Sequence, residues 1–303
     1  MLGGAEIAAQ RRPGSRLVPN RITRQLITES LITDYFEPSL TTDCISASLR
    51  DIHCKGLMCT VSFIPNAQGF YLAMNRDELL TRVAGVPPCV FERDGYRAIY
   101  PREPSGGTWI AVNGWGVCLT ITNWHRVDCV PPGSLISRGE VVKSLALAGS
   151  LAEVEKGLQE LPLSHMRPFR LFAIASHEQS VMEYCWDVRR LQHHRRSWTR
   201  RHWFSSGYDE PMAELVRARV CEQAWHKSGA GTLGWLRDLH ATHVPEPGPF
   251  SICMHQAVAE TVSYTEVVLR DEQIRMRYQP GPPCLGGAAY EATLRAGSAM
   301  IGD

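Results

Sequence analysis

A methionine directly precedes a cysteine in the stretch GLMCTVSF, residues 56–63. A chain beginning at Cys59 would carry a thiol and a free α-amine on one residue, a nucleophile and a base together. The amine titrates at roughly 8 and the thiol at roughly 8.5 when unperturbed, so both are within reach of neutral pH. Such a residue needs three helpers. A cation raises the thiolate fraction, a carboxylate orients the amine, and a neutral donor meets the developing oxyanion. NRDE, residues 75–78, offers Arg76 as the cation and Asp77 or Glu78 as the carboxylate. Neighbouring strand residues point to opposite faces, so one acid of the two is expected to face the site. Asn123, ten positions after Asn113, is the oxyanion donor by residue type, while Asn113 opens an NGWG turn. Each residue also has a structural reading: a buried strand cysteine, a capped strand end, an edge amide.

The elements that must position these residues follow from pattern. CTVSFI (59–64) and FYLAMN (70–75) read as strands joined by the turn residues PNAQG, and GTWIAVN (107–113) and VCLTITNW (117–124) form a second hairpin. Two helices follow, each opened by a serine with a glutamate three residues on: Ser137 with Glu140 and Ser150 with Glu153. Strands are expected over 169–176 and 180–186, helices over 210–227 and 232–240, and closing strands over 250–255, 261–269 and 274–280. Hairpins, then helices, then hairpins predict an α+β protein, with antiparallel sheets covered by helices on their outer faces.

The bulk composition excludes several classes. The 303 residues carry 32 basic and 31 acidic side chains, a formal charge of +1, which gives no overall pull toward nucleic acid. The basic run RRLQHHRRSWTRRH, 189–202, reads as a charged hairpin edge. No apolar run approaches the roughly 20 residues of a membrane span, and no apolar segment of a secretory signal follows Met1. The ten cysteines form no C-x-x-C pair, so no metal set is read from their spacing, and a cytoplasmic chain with reduced thiols is expected. Residues 1–57, Arg-rich at the start and without sustained apolar periodicity, read as a disordered extension or a stretch upstream of the true start. The domain is expected over 58–290, with a tail over 291–303.

Met58-Cys59 at a strand head, NRDE ending the next strand, and SGGTWIAVNGWGVCLTITNW (105–124) together resemble the NRDE family, whose best-known relatives are the transport and Golgi organisation protein 2 homologues. SRGE (137–140), SSGYDE (205–210), SICMH (251–255), ETVSYTEV (260–267) and PGPPC (280–284) extend the resemblance to about Cys284. It implies a four-layer αββα sandwich like that of N-terminal-nucleophile hydrolases of the choloylglycine and penicillin V acylase kind. It further implies Cys59, Arg76, Asp77 and Asn123 as catalytic residues and no cofactor. The acylases separate the arginine and the acid by two residues, whereas Arg76 and Asp77 are adjacent. Where the acylases carry a further asparagine, this chain has Ser205, Ser206 and Gly207.

Two functions are therefore expected to compete. One is a cofactor-free hydrolase of a linear amide or thioester. The other is a non-catalytic protein binding or trafficking a small, haem- or lipid-like molecule on the same fold. Nucleic-acid binding through 189–202 is the third and weakest, and oligomeric state is not legible. Deleting residues 1–57 should leave the thermal midpoint almost unchanged; a fall of many degrees in a melting scan would place the boundary elsewhere.

Overall fold

The computed structural model describes residues 58–297, and residues 1–57 and 298–303 lie outside the described residues. Strand β1 (Met58–Asn66) pairs antiparallel with β2 (Gly69–Leu79), with Cys59 opposite Arg76 and Met58 opposite Asp77. These strands sit in a six-stranded sheet with β10 (Arg201–Ser205), β11 (Ala259–Arg270), β12 (Gln273–Pro280) and β13 (Tyr290–Arg295), in the order β10-β1-β2-β11-β12-β13. The second sheet is a seven-stranded meander in chain order: β3 (Val86–Arg93), β4 (Tyr96–Arg102), β5 (Ile110–Asn113), β6 (Val117–Asn123), β7 (Phe169–Ala175), β8 (Ser180–Trp186) and β9 (Leu191–Arg196). All pairings are antiparallel.

The sheets pack face to face. Val61, Phe63, Leu72 and Met74 of the first meet Ile99, Val112, Cys118 and Phe172 of the second in one buried core. Helices α1 (Gly139–Leu145) and α2 (Leu151–Glu160) bury Val141, Val142, Leu151, Val154 and Leu158 in the same core, against the meander's outer face. Helices α3 (Glu210–Trp225) and α4 (Leu233–His240) cover the other sheet through Val220, Cys221, Trp235 and Leu239, which pack on Ile64, Ala73 and Tyr264. The result is a four-layer αββα sandwich.

Burial of β1 and β2 on both faces imposes a demand on their outward residues. Thr60, Ser62, Asn75 and Asp77 are polar yet buried, so each must find partners inside. Asn75 donates to the carbonyls of His240 (2.8 Å) and Ile252 (2.9 Å), and its oxygen meets His240 Nδ1 at 3.0 Å. His240 Nε2 and His202 Nδ1 both reach Ser62 Oγ at 2.8 Å. The first residue of NRDE is thus a scaffold residue tying β2 to α4.

Several expectations are corrected. Residues 250–255 form no strand: Ser251 through Met254 are buried in an irregular segment. Its backbone is satisfied partly by side chains, Asn75 at Ile252 O, Ser251 Oγ at Cys253 O and Thr261 Oγ1 at Met254 N, and partly by backbone bonds to Thr242 and to the start of β11, with a single bridge from His255 to Glu260. The β3–β4 hairpin was not read, because β3 is a largely exposed edge strand interrupted by Pro87 and Pro88. The basic run is a charged hairpin edge as expected: β9 is the edge strand of the β8–β9 hairpin, and the run then crosses to β10, an edge strand of the other sheet. Ser137 makes no capping box, since its hydroxyl accepts from Gly139 N–H while Glu140 N–H bonds the Ser137 carbonyl. Ser150 does cap α2 through Glu153 N–H, and the Glu153 carboxylate reaches back to Gly149 N–H. The sheet also continues past residue 290 through β13, where only Leu294 is buried and no apolar pattern marked a strand.

Asn75→Ala should cost about 2–4 kcal/mol in urea unfolding, because two buried carbonyls and an imidazole lose their partner. A cost under about 1 kcal/mol would contradict that role. Burial holds His240 and His202 neutral, pushing them from 6.5 to about 3 and about 4. Below pH 6.5 the unfolded chain takes up these protons and the native chain does not, so this contribution is complete above 6.5 and is lost as pH falls toward 4. Between those limits the wild type should lose more stability than His202→Asn; equal losses would contradict the assignment.

Candidate functional site

Strand alternation divides NRDE. Arg76 and Glu78 project between the sheets, on the face of β2 that carries Leu72 and Met74 and on the same side as Cys59. Asp77 projects to the helical layer. There Thr261 Oγ1 donates to its Oδ1 at 2.6 Å, and the fully buried Arg217 of α3 lies 3.7 Å from its Oδ2. Of the two acids left open by the sequence, Glu78 therefore shares the thiol's face and Asp77 backs it from behind. Asp77 still touches the thiol through its backbone, whose N–H points at the Cys59 sulfur.

Between the sheets lies a cavity of about 90 Å3, lined by Cys59, Arg76, Asp77, Glu78 and Asn123 together with Arg82, Glu103, Thr108, Trp109, Thr122 and Arg138. Cys59, Arg76 and Asn123 line it; Asp77, expected there too, reaches it only through its backbone, because its carboxylate projects to the other face of β2 against Thr261 and Arg217. Asn123 comes from β6 of the opposite sheet, so the site is assembled across the sandwich and not along one sheet. Trp109 Nε1 and Thr122 Oγ1, on two of the lining residues, are buried without a hydrogen-bond partner. Asn113 is the turn residue expected of it. It donates to the carbonyls of Ala146 and Ala148 and accepts from Trp115 and Val117 N–H, tying the β5–β6 turn to the end of α1.

The electrostatics are balanced. The Arg76 guanidinium lies 4.6 Å over the Trp109 ring and donates to Glu103 (2.7 Å) and Glu78 (3.1 Å), so two carboxylates share its charge. Arg82 closes the network at 3.5 Å from Glu78 and 3.7 Å from Glu103. The thiol gains little from this cation. Burial first, and the Asp77 charge second, push Cys59 up to about 12. Burial also outweighs Arg217 and Thr261 at Asp77, raising it to about 7, and raises Glu78.

The sequence reading missed Glu103, Arg138 and Arg217. Arg217 had a signal: it occupies the buried stripe of α3 with Ala213, Val220, Cys221 and Ala224, where a charge requires a partner. Arg138 lay in the quoted SRGE, read only as a helix start. Its guanidinium donates to Pro168 O at 3.1 Å, and burial, with Arg167 nearby, pushes it down to about 10. Gly139 makes this placement possible: a Cβ there would lie 2.9 Å from Thr108 N, closer than side chains pack.

These layers define a four-layer αββα sandwich of antiparallel sheets, with Cys59 near the start of an inner strand. The chain belongs to the Transport and Golgi organisation 2 family, whose profile matches residues 58–239. No curated protein matches it by sequence. Its structure is similar to penicillin V acylase from Agrobacterium tumefaciens at 10% identity, TM-score 0.43, covering 80% of this chain and 93% of that one. It is also similar to a mutant conjugated bile acid hydrolase from Clostridium perfringens at 9% identity, TM-score 0.42, covering 78% and 92%. The fold assignment rests on the strand order and layers described above, not on these likenesses.

In a chain retaining Met58, burial holds the Cys59 thiol protonated near neutral pH, pushed up to about 12. Cys59 should therefore alkylate far more slowly than the exposed Cys89 and Cys129. Glu78→Gln removes a neighbouring negative charge and should speed the reaction. Peptide mapping after timed iodoacetamide treatment measures both, and Cys59 labelling at the rate of Cys89 would contradict the electrostatic account.

Proposed function

We propose that the protein is a cofactor-free hydrolase of a small linear amide or thioester, working as a chain that starts at Cys59. The observation that carries this reading is the set of polar atoms left without partners around residue 59. Asn123 lines the thiol's cavity from β6 of the opposite sheet. Asp77 Oδ2 and Ser205 Oγ are buried without hydrogen bonds, on the residues that flank the start of β1 in register. An α-amine freed at Cys59 is the donor that buried carboxylate lacks, and it brings a positive charge to a thiol otherwise too basic to react.

The chemistry follows from those groups. The amine takes the thiol proton as the sulfur attacks the carbonyl carbon. The tetrahedral oxyanion receives an N–H from Asn123. The proton then passes to the leaving nitrogen or sulfur, leaving an acyl group on Cys59. Water, deprotonated by the same amine, releases the acid and restores the thiol. Arg76, Arg82 and Arg138 supply positive charge for an anionic portion of the substrate, and Glu78 and Glu103 hold Arg76 in place. The cavity of about 90 Å3 suits a short acyl group, since one water needs about 10–15 Å3.

A second reading, non-catalytic binding of a small anionic molecule, is favoured by the thiol pushed up to about 12 and by the sharing of Arg76 between two acids. Turnover separates the two. A chain released with Cys59 as its first residue should hydrolyse members of a panel of acyl thioesters and N-acyl amino acids. Cys59→Ala should abolish this, and Asn123→Ala should lower kcat by about 10²–10³ with KM little changed. Activity that survives Cys59→Ala, or that is equal when Met58 is retained, would overturn the reading.

A further inference from the structure

On the helical side of the first sheet, three separate segments bring four metal-ligating side chains together. His243 lies three residues beyond α4, Cys253 and His255 lie in the irregular segment before β11, and Cys284 lies on a single 3-10 turn after β12, Pro283–Leu285. One ligand atom from each lies within 4.8 Å of the others. His255 Nε2 is 3.6 Å from Cys253 Sγ and 3.3 Å from Cys284 Sγ.

Tetrahedral zinc has Zn–S near 2.3 Å and Zn–N near 2.0–2.1 Å, which places ligand atoms roughly 3.3–3.8 Å apart. The measured separations match that spacing. His243 Nε2 is buried without a hydrogen-bond partner, although its ring packs 5.0 Å from that of His255. The other nitrogen of His255, Nδ1, faces Glu260 Oε2 at 3.6 Å, the carboxylate–imidazole arrangement that orients a zinc-bound histidine through its far nitrogen.

We propose that His243, Cys253, His255 and Cys284 form a Cys2His2 zinc site. Four protein ligands close the coordination shell, so the ion is structural and takes no part in hydrolysis. Binding releases both thiol protons to solvent, and the two imidazoles contribute lone pairs. The ion adds a crosslink to an irregular segment held to β11 by a single bridge, His255 to Glu260. That segment supports the cavity from behind: Met254, between two ligands, packs against Met58, and its N–H bonds Thr261 Oγ1, which in turn donates to Asp77.

The ligands escape a reading by local spacing because they come from three segments, and only Cys253 and His255 are close in sequence. The test is metal content and spectroscopy of the full chain under a phosphine reductant. Protein from zinc-supplemented medium should retain about one zinc per chain after dialysis. Co2+ added to the metal-stripped chain should give the charge-transfer bands of a tetrahedral bis-thiolate site. Cys284→Ser, at a half-buried position, and His255→Ala should each lose stoichiometric zinc, and Cys89→Ser should keep it. The wild-type Co2+ spectrum stands even if a ligand variant fails to fold. Absence of both stoichiometric zinc and thiolate–cobalt bands in the wild type would overturn the proposal, as would bands unchanged in folded Cys284→Ser.

Discussion

The register of β1 against β2 is the constraint on which the rest depends. Setting Cys59 opposite Arg76 sends Arg76 and Glu78 into the space between the sheets, and Asn75 and Asp77 into the helical layer. A slip of one residue would exchange those sets. It would put Asn75 and Asp77 in the apolar core and leave the His240 and Arg217 sites unpartnered. The motif is therefore two devices interleaved along one strand, one facing the cavity and one anchoring the scaffold.

Each device solves a burial problem. The outer face of β1 and β2 is polar where helices cover it, so the helices bring Arg217 and His240 inside to meet it. On the inner face, Arg76 is desolvated between sheets and is held by Glu103, Glu78 and the Trp109 ring. The same desolvation raises Cys59, Glu78 and Asp77 together. Under the proposed function, a free α-amine at residue 59 is the group that would bring positive charge beside this thiol. Asp77, with one carboxylate oxygen unpartnered, lies opposite the residue whose removal would expose that amine.

Much of this was legible in the sequence. Period-two alternation located β1, β2, β6, β7, β8, β11 and β12, and the Met-Cys head, NRDE and Asn123 pointed to residues that share a cavity. Local pattern could not reveal partners supplied by tertiary packing. Glu103 follows a strand that carries no site motif, and Arg138 sat in a peptide read for capping alone. The segment 250–255 looked like a strand because it is apolar, but it makes only a single bridge to β11, and its other backbone groups are met by scattered partners such as Asn75 and Thr242. Arg217 was the recoverable omission, since its place on a buried helical stripe demanded an anion. The choice between Asp77 and Glu78 needed the sheet's facing, which the motif alone does not give.

The central claim is that Cys59 acts as an amino-terminal residue. Mass spectrometry of the protein isolated from its native cells tests this most directly, read alongside labelling by an electrophilic acyl probe. The account predicts a species whose first residue is Cys59 and whose probe adduct maps to that thiol. A chain in which Met58 stays bonded to Cys59, with Cys59 unlabelled, would contradict it.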